Sequence, residues 1–333
     1  MTTAAAVQTP LAVKDLKVYY HTRRGPVKAV DGVSFELGRG ERLGLVGESG
    51  SGKSTIALAL MMAHKEPARI EGGTILLNGS NLLDDNDEQV RLRRLSEIAM
   101  VPQGALNSLN PVMRIRDQVI DGLKDHNVRM SVGEYSQRVA ELLDSVGLDR
   151  DVASRFPHEL SGGMKQRVAI AIAISMNPSV IIADEPTSAL DVVVQKQVVQ
   201  TLREVQERIG AAAIMIGHDM GLMAQFASRI GIMYGGKIAE IGPVRDIFNN
   251  PKHPYTRLLI SSLPDTRSKR RLEGIPGLPP SLLRPPPGCI FHTRCPEAME
   301  ICTQEIPPTR ELDTNRFAAC HLYGDDDGKE AVL

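Results

Sequence analysis

A glycine-rich segment in the N-terminal part of the sequence has the residue types and spacing of a phosphate-binding loop. It matches Gly-x-x-x-x-Gly-Lys-[Ser/Thr] through Gly47, Gly52, Lys53 and Ser54. An apolar, β-compatible run precedes the segment, and a run rich in Ala, Leu and Met follows it. Backbone N–H groups of such a turn converge on phosphate oxygens, Lys53 reaches the β- and γ-phosphates, and the Ser54 hydroxyl ligates Mg²⁺. The whole loop comprises Gly47, Glu48, Ser49, Gly50, Ser51, Gly52, Lys53, Ser54 and Thr55.

Two adjacent carboxylates follow a later apolar run, Val180–Ala183, which is predicted to be a strand. Asp184 is the residue type that holds Mg²⁺ through water, and Glu185 is placed to polarise an attacking water. A surface acidic pair at a strand end is the alternative. Because the chain also has a phosphate loop, the two motifs together favour binding and hydrolysis of ATP.

A Ser-Gly-Gly segment, Ser161, Gly162 and Gly163, opens a predicted helix ahead of Asp184. Free N–H groups at a helix N-terminus favour a phosphate. An ordinary N-cap explains Ser161. It does not explain the two glycines, because glycine is a poor helix former.

The order of these motifs resembles the ATP-binding-cassette (ABC) ATPases over about residues 11–262. The resemblance implies that the Ser-Gly-Gly segment of one subunit covers ATP held by the phosphate loop of another. Two composite sites would then form in a head-to-tail dimer. Met164 stands where the family more commonly has Gln, a difference expected to matter little because Ser161 and the glycines contact phosphate.

Further positions fall in register with the same family. The resemblance implies that Gln103 senses Mg²⁺ and faces the membrane partner, and that Asp191 lies at the dimer contact. It also implies that His218 touches the γ-phosphate and that Tyr20 stacks on adenine. The adjacent Tyr19 leaves the choice of aromatic residue open, since either can be an ordinary strand aromatic.

Alternation of strand and helix patterns predicts the elements that position these residues. We expect an α/β fold: a P-loop NTPase core with a mainly parallel sheet, an antiparallel β subdomain and an α-helical signature subdomain at about 104–175. A capping box, Ser131 to Glu134, predicts one helix start in that subdomain. The expected domains are a nucleotide-binding domain at 9–263 and, at 264–333, a Pro-rich linker with a basic run followed by a small regulatory extension.

All four cysteines lie in that extension, with the spacing C-x5-C-x6-C-x17-C: Cys289, Cys295, Cys302 and Cys320. Four thiolates suit a [4Fe–4S] cluster. Zinc also accepts four thiolates, but its sites usually use tighter pairs than these. Free thiols remain the third possibility. We predict a stabilising or regulatory [4Fe–4S] cluster, because the oligopeptide and dipeptide importer ATPases, which the chain resembles, have a four-cysteine extension and several bind such a cluster.

That narrower resemblance rests on Ser108-Leu-Asn-Pro111, His253-Pro-Tyr255 and the cysteine-bearing tail. It implies an ATP-hydrolysing motor at the cytoplasmic face of the cell membrane. Its partners would be a second cassette subunit in a heterodimer, two transmembrane permease subunits and, indirectly, an extracytoplasmic substrate-binding protein. Related systems carry nickel, glutathione-like molecules or oligosaccharides, so the cargo stays open.

Composition and spacing bear on the other classes of function. The formal net charge of −1 gives no support for nucleic-acid binding. No apolar run reaches the roughly 18–20 residues that span a bilayer. Non-transport ABC ATPases of DNA repair or chromosome organisation insert long coiled coils or zinc modules before the Ser-Gly-Gly segment, whereas the interval between Gln103 and Ser161 is short and shows no sustained heptads. Translation factors of the family have two cassettes, and this sequence has one.

Overall fold

The computed structural model describes residues 9–104, 108–263, 274–324 and 327–331. Unit 1 consists of the described residues up to Leu11 together with Leu37–Arg42 and Leu76–Gly217. Unit 2 consists of Ala12–Glu36, Leu43–Ile75 and the described residues from His218 onward. The predicted basic run Arg267–Arg271 lies outside the described residues, as does the first part of the predicted linker. Of the helices in the described ranges, none is both long enough and apolar enough to cross a membrane.

The elements have the following bounds. The strands are β1 (Leu11–Thr22), β2 (Gly25–Leu37), β3 (Arg42–Val46), β4 (Ala68–Leu77), β5 (Ser80–Asn81), β6 (Ile98–Val101), β7 (Val180–Asp184), β8 (Ala212–Ile216), β9 (Arg229–Tyr234), β10 (Lys237–Pro243), β11 (Thr309–Asp313), β12 (Arg316–Ala319) and β13 (Lys329–Glu330). The α-helices are α1 (Lys53–Leu60), α2 (Asp87–Arg93), α3 (Ile115–Asp125), α4 (Val132–Ser145), α5 (Gly162–Ala173), α6 (Val192–Ile209), α7 (Met220–Phe226), α8 (Val244–Asn249) and α9 (Pro254–Ser261).

Unit 1 contains three parallel strands in the order β6-β7-β8. Every residue of β7 and β8 is buried. A parallel sheet covered on both faces requires such nearly continuous apolar runs, which is why the sequence pattern predicts a strand at β7. The first carboxylate of the acidic pair, Asp184, is the last residue of β7.

The helical part of unit 1 agrees with the predicted signature subdomain. Helices α3, α4 and α5 contact one another. Helix α4 begins with the predicted capping box: the Ser131 hydroxyl accepts from the Glu134 N–H, and the Ser131 N–H donates to the Glu134 carboxylate. Its buried positions, Val139, Leu142 and Leu143, form one apolar stripe, as amphipathic helix spacing requires.

Unit 2 contains strands in the order β3-β9-β10-β12-β11-β13. Only β3 and β9 pair in parallel; the other pairs are antiparallel. A separate sheet places β1 between β2 and β4. A two-residue connection joins β1 to β2, so these neighbours form a hairpin and fit the predicted antiparallel subdomain.

The C-terminal strands were not predicted from the sequence. Strand β12 pairs with β10 through Glu240 opposite Ala318 and Ile241 opposite Phe317. A buried ion pair reinforces this junction: Arg316 Nη2 lies 3.1 Å from Glu240 Oε1, and the two side chains are 3% and 0% exposed. The Glu240 carboxylate also accepts hydrogen bonds from the backbone N–H groups of Lys252 and His253. The extension is thereby joined to the sheet that contains β3.

We expect Arg316→Met to lower the free energy of unfolding by roughly 3–5 kcal/mol, because the Glu240 carboxylate would stay buried without its cation. Urea unfolding followed by circular dichroism measures the change. The matched control is Asp313→Asn, which removes the more exposed acidic partner of the same arginine (61% exposed). That variant should differ from the parent by less than about 1 kcal/mol. Equal effects of the two substitutions would contradict the prediction.

Candidate functional site

The predicted phosphate loop lies in unit 2, between β3 and α1. Two of its glycines leave no room for a side chain. A Cβ on Gly47 would lie 2.1 Å from the Met233 carbonyl oxygen, and one on Gly52 would lie 2.1 Å from the Ala29 carbonyl oxygen. Gly52 also has φ +101°, a conformation that residues with side chains rarely adopt. These glycines let the loop pack against the neighbouring backbone.

The Lys53 side chain folds back over the loop. Its ammonium donates to the carbonyl oxygens of Gly47 at 2.8 Å and Glu48 at 2.9 Å, and to the Ser51 hydroxyl at 3.3 Å. Lys53 is also the first residue of α1, whose first turn has no acidic residue. A helix N-terminus of this kind, with an ammonium beside it, attracts phosphate groups.

The two candidate adenine-stacking tyrosines have different surroundings within unit 2. The Tyr19 hydroxyl donates to Asp31 at 2.5 Å, and Lys28 lies over the Tyr19 ring. Burial and this hydrogen bond raise the pKa of Tyr19 above its ordinary value. The Tyr20 hydroxyl instead lies 3.3 Å from the hydroxyl of Thr55, a residue of the phosphate loop. Of these two tyrosines, Tyr20 is thus the one whose hydroxyl lies beside the phosphate loop.

The acidic pair lies at the carboxyl end of β7 in unit 1. Asp184 is buried, at 3% exposure. Glu185 has φ +43°, a strained backbone conformation for a residue with a side chain, and its N–H donates to the Ile216 carbonyl. The Gln103 side-chain amide donates to Glu185 at 3.0 Å. The structure thus brings together two residues that the sequence places far apart.

The predicted Mg²⁺ ligands supply suitable donor atoms. Ser54 offers a hydroxyl, Gln103 an amide oxygen and Asp184 a carboxylate. Oxygen donors of these kinds, few in number and supplemented by water and phosphate, are what Mg²⁺ prefers. The chemistry of the donor set therefore fits the cation.

The Ser-Gly-Gly segment begins α5 in unit 1. Ser161 is the N-cap, and its hydroxyl accepts from the Met164 N–H. Gly163 is required for packing, because a Cβ there would lie 2.5 Å from a methyl of Val194. Asp191 caps α6 by accepting from the N–H groups of Val193 and Val194. Ser161 and Asp191 are both exposed in the isolated chain.

His218 lies in the connection between β8 and α7 and is exposed. The next residue, Asp219, accepts from the Leu222 N–H as the N-cap of α7. The histidine therefore occupies the predicted position directly after a buried strand and before a helix start.

The structure does not support the predicted [4Fe–4S] cluster. Cys289, Cys295, Cys302 and Cys320 are all described, and all four are free cysteines. Within the described ranges, no group of three or more His, Cys, Asp or Glu side chains has an arrangement that could hold a metal ion. Burial raises the pKa of Cys289 and of Cys295, and raises that of Cys320 to about 12. Burial thus disfavours the thiolate form of Cys289, Cys295 and Cys320, and the described residues give the predicted cluster no support.

The sequence analysis missed a contact between the phosphate loop and the extension. Arg294 forms a bidentate ion pair with Glu48, the second residue of the loop. The Tyr255 hydroxyl accepts a hydrogen bond from the Glu48 N–H. Both residues belong to segments quoted only for the family resemblance, and only the fold brings them to the loop.

The family pattern described as "ABC transporter" matches residues 30–188, and the one described as "Oligopeptide/dipeptide transporter, C-terminal region" matches residues 239–302. The dimeric ATP-binding cassette MJ0796, in a post-hydrolysis state bound to ADP and Pi, superposes with a TM-score of 0.63 at 29% identity. The match covers 71% of this chain and 99% of that one.

Full-length relatives extend the similarity through the C-terminal region. Oligopeptide transport ATP-binding protein AppF of Bacillus subtilis is 42% identical, over 96% of this chain and 99% of its own length. Dipeptide transport ATP-binding protein DppD of Lactococcus lactis is 45% identical, over 95% and 92%. Oligopeptide transport ATP-binding protein OppD of Escherichia coli is 43% identical, over 93% and 92%.

The phosphate loop, the acidic strand end and the Ser-Gly-Gly helix start define an ATP-binding cassette with a P-loop NTPase core. Cassettes of this class are ATPases whose hydrolysis is coupled to transport. The chain belongs to the ABC transporter family, among the oligopeptide and dipeptide transport ATP-binding proteins.

Proposed function

We propose that this chain is the ATP-hydrolysing motor subunit of a membrane importer for oligopeptides or dipeptides. The observation that carries the proposal is the similarity to peptide-transport ATP-binding proteins, which extends over almost the whole chain and includes the C-terminal region. We further propose the division into a nucleotide-binding domain at 9–263 and a regulatory extension at 264–333. Because β12 pairs with β10, that extension would act on the cassette through shared sheet structure.

Substrate binding is assigned to the phosphate loop and Tyr20. The N–H groups of Gly47, Ser49, Gly50, Ser51 and Gly52 and of the α1 N-terminus would surround the phosphates of ATP. Lys53 would exchange its carbonyl partners for β- and γ-phosphate oxygens, and Thr55 completes the loop. Tyr20 would stack on adenine, which its contact with Thr55 supports.

Hydrolysis is assigned to residues that orient water and offset charge. Glu185 would hold and polarise the attacking water, and its hydrogen bond from Gln103 fixes the carboxylate in place. His218 would donate to the γ-phosphate as charge develops there. Ser54, Gln103 and Asp184 would hold Mg²⁺, which supplies charge neutralisation at the phosphates.

The active assembly is proposed to be a head-to-tail dimer with a second ABC ATPase subunit, and we favour a heterodimer. Ser161, Gly162 and Gly163 would cover ATP bound to the partner, and Asp191 would lie at the dimer contact. The exposure of Ser161 and Asp191 supports this role, as does the dimeric state of the similar cassette. Two transmembrane permease subunits would hold the pair at the cytoplasmic face of the membrane, and an extracytoplasmic binding protein would deliver the peptide.

The test is reconstitution of the chain into lipid vesicles together with its two permease subunits and its second cassette subunit. We expect a short-peptide mixture presented with the binding protein to raise ATP hydrolysis severalfold. A parallel assay offers nickel, glutathione or an oligosaccharide instead of peptide. Stimulation by one of these alone would reject the peptide assignment, and stimulation by DNA or ribosomes would reject transport.

A further inference from the structure

Arg294, in the C-terminal extension, donates hydrogen bonds from all three guanidinium nitrogens to groups in and near the phosphate loop. Arg294 Nη1 donates to Glu48 Oε2 at 2.8 Å and to the Tyr234 hydroxyl at 3.1 Å. Its Nη2 donates to Glu48 Oε1 at 3.0 Å and to the Ile275 carbonyl, and its Nε donates to the Pro276 carbonyl. A guanidinium has five N–H groups, so each has a partner here.

The carboxylate that receives this arginine belongs to a residue whose backbone takes part in the loop. The Glu48 carbonyl accepts from Lys53 Nζ and from the Ser51 N–H, and the Glu48 N–H donates to the Tyr255 hydroxyl. Any shift of Glu48 therefore moves the carbonyl that holds the Lys53 ammonium. Glu48 thus links Arg294, through its carboxylate, to Lys53, through its carbonyl.

The extension fixes Arg294 through buried packing. Phe291, three residues earlier, is 1% exposed. Its ring centroid lies 5.0 Å from that of Tyr234 and 5.3 Å from that of Tyr255. The Cys289 N–H donates to the Cys302 carbonyl, which closes the segment around the arginine. The Arg294 side chain is itself only 4% exposed, whereas that of Glu48 is 26% exposed.

We propose that Arg294 is a positioning residue for the phosphate loop, and that the C-terminal extension sets nucleotide affinity through the Arg294–Glu48 pair. The proposal rests on the proposed function, since it presumes that the loop binds nucleotide. Two physical effects act in the same direction. The bidentate pair preorganises the loop for nucleotide binding. It also neutralises a carboxylate that would otherwise repel the phosphates of the ligand.

The experiment titrates the full chain with Mg·ADP by isothermal titration calorimetry. We expect Arg294→Met to raise the Kd about tenfold or more, because it leaves Glu48 charged and without its partner. Arg294→Lys should give a smaller increase, because it keeps the charge but loses the planar fork. Glu48→Gln should be milder than Arg294→Met, because it removes the repelling charge together with the ion pair.

A double-mutant cycle separates positioning from general stability. If Arg294 acts through Glu48, adding Glu48→Gln to Arg294→Met restores part of the lost affinity, whereas independent structural roles would give additive losses. The matched control is Glu297→Gln, which breaks an ion pair in which Arg257 Nη1 donates to both Glu297 carboxylate oxygens. Both side chains of that pair are 40% exposed, and neither belongs to the phosphate loop. Its Kd should stay within about twofold of the parent value.

The outcomes distinguish this inference from the proposed function. A parent chain that does not bind Mg·ADP would reject the proposed function itself. A parent that binds, with Arg294→Lys and Arg294→Met folded and unchanged in Kd, would overturn the positioning role alone. Should Arg294→Met fail to fold, Arg294→Lys and Glu48→Gln still decide, because unchanged affinity in both overturns the proposal and weakened affinity in both sustains it.

Discussion

Glu185→Gln is expected to bind Mg·ATP normally and to lower ATP turnover by about 10²–10⁴-fold. Glutamine has nearly the same shape as glutamate, so the backbone conformation at φ +43° and the proximity of Gln103 need not change. An uncharged amide, however, cannot polarise the attacking water. Nucleotide should therefore accumulate unhydrolysed, and the closed cassette dimer should persist.

Phosphate release by the reconstituted complex measures turnover, and light scattering after chromatography in Mg·ATP measures the dimer. The matched control is Glu207→Gln on α6, which loses only partly exposed ion pairs with Arg42 and Arg203. That variant should turn over ATP as the parent does. Near-normal turnover by the Glu185 variant would remove this residue from the proposed mechanism.

Gly52→Ala is expected to reduce affinity for Mg·ATP by at least about 100-fold, because the added methyl group would overpack the loop against backbone that cannot move away and would strain φ. The added Cβ would lie 2.1 Å from the Ala29 carbonyl oxygen, and φ +101° would be strained in addition. Since Ala29 belongs to β2, relief must come from movement of the loop, which would displace Lys53 and the start of α1. Equilibrium binding of Mg·ATP measures the loss.

Two further glycines separate the causes of that loss. Gly50 and Gly79 also have positive φ, but a Cβ at either position meets nothing within 4 Å. Gly50→Ala adds strain inside the loop without a collision, so its loss of affinity should be much smaller. Gly79→Ala adds similar strain outside the loop and should leave affinity unchanged. If all three variants bound alike, the close packing at Gly52 would not be the cause.

The features that the sequence predicts correctly are those formed by residues close together in the chain. The apolar run at β7 and the Ser131 capping box are short-range patterns, and the structure has both where the sequence predicts them. The phosphate loop was equally accessible, because its glycines and lysine are close together in the chain. The different surroundings of Tyr19 and Tyr20 were not, because the contact of Tyr20 with Thr55 joins residues far apart in the chain.

Long-range contacts account for what was missed. Strand β11 is largely polar and β12 has only four residues. Strand β12 is defined by pairing with β10, which sequence periodicity does not reveal. The Arg294–Glu48 pair joins residues 246 positions apart. The cysteine prediction lacks structural support for a related reason. Spacing along the chain and a resemblance suggested a cluster, but neither fixes the three-dimensional arrangement that metal ligands require.

The pairing of β12 with β10 has a consequence for synthesis on the ribosome. Strand β12 follows β10 in the chain, so the ribosome adds β12 only after β10 has been made. Until then one edge of β10 presents unpaired N–H and C=O groups, the condition in which nascent chains associate wrongly. A chain truncated before Arg316 would keep the phosphate loop, the acidic pair and the Ser-Gly-Gly segment but would leave this edge of β10 open, so pairing with β12 protects the sheet from aggregation.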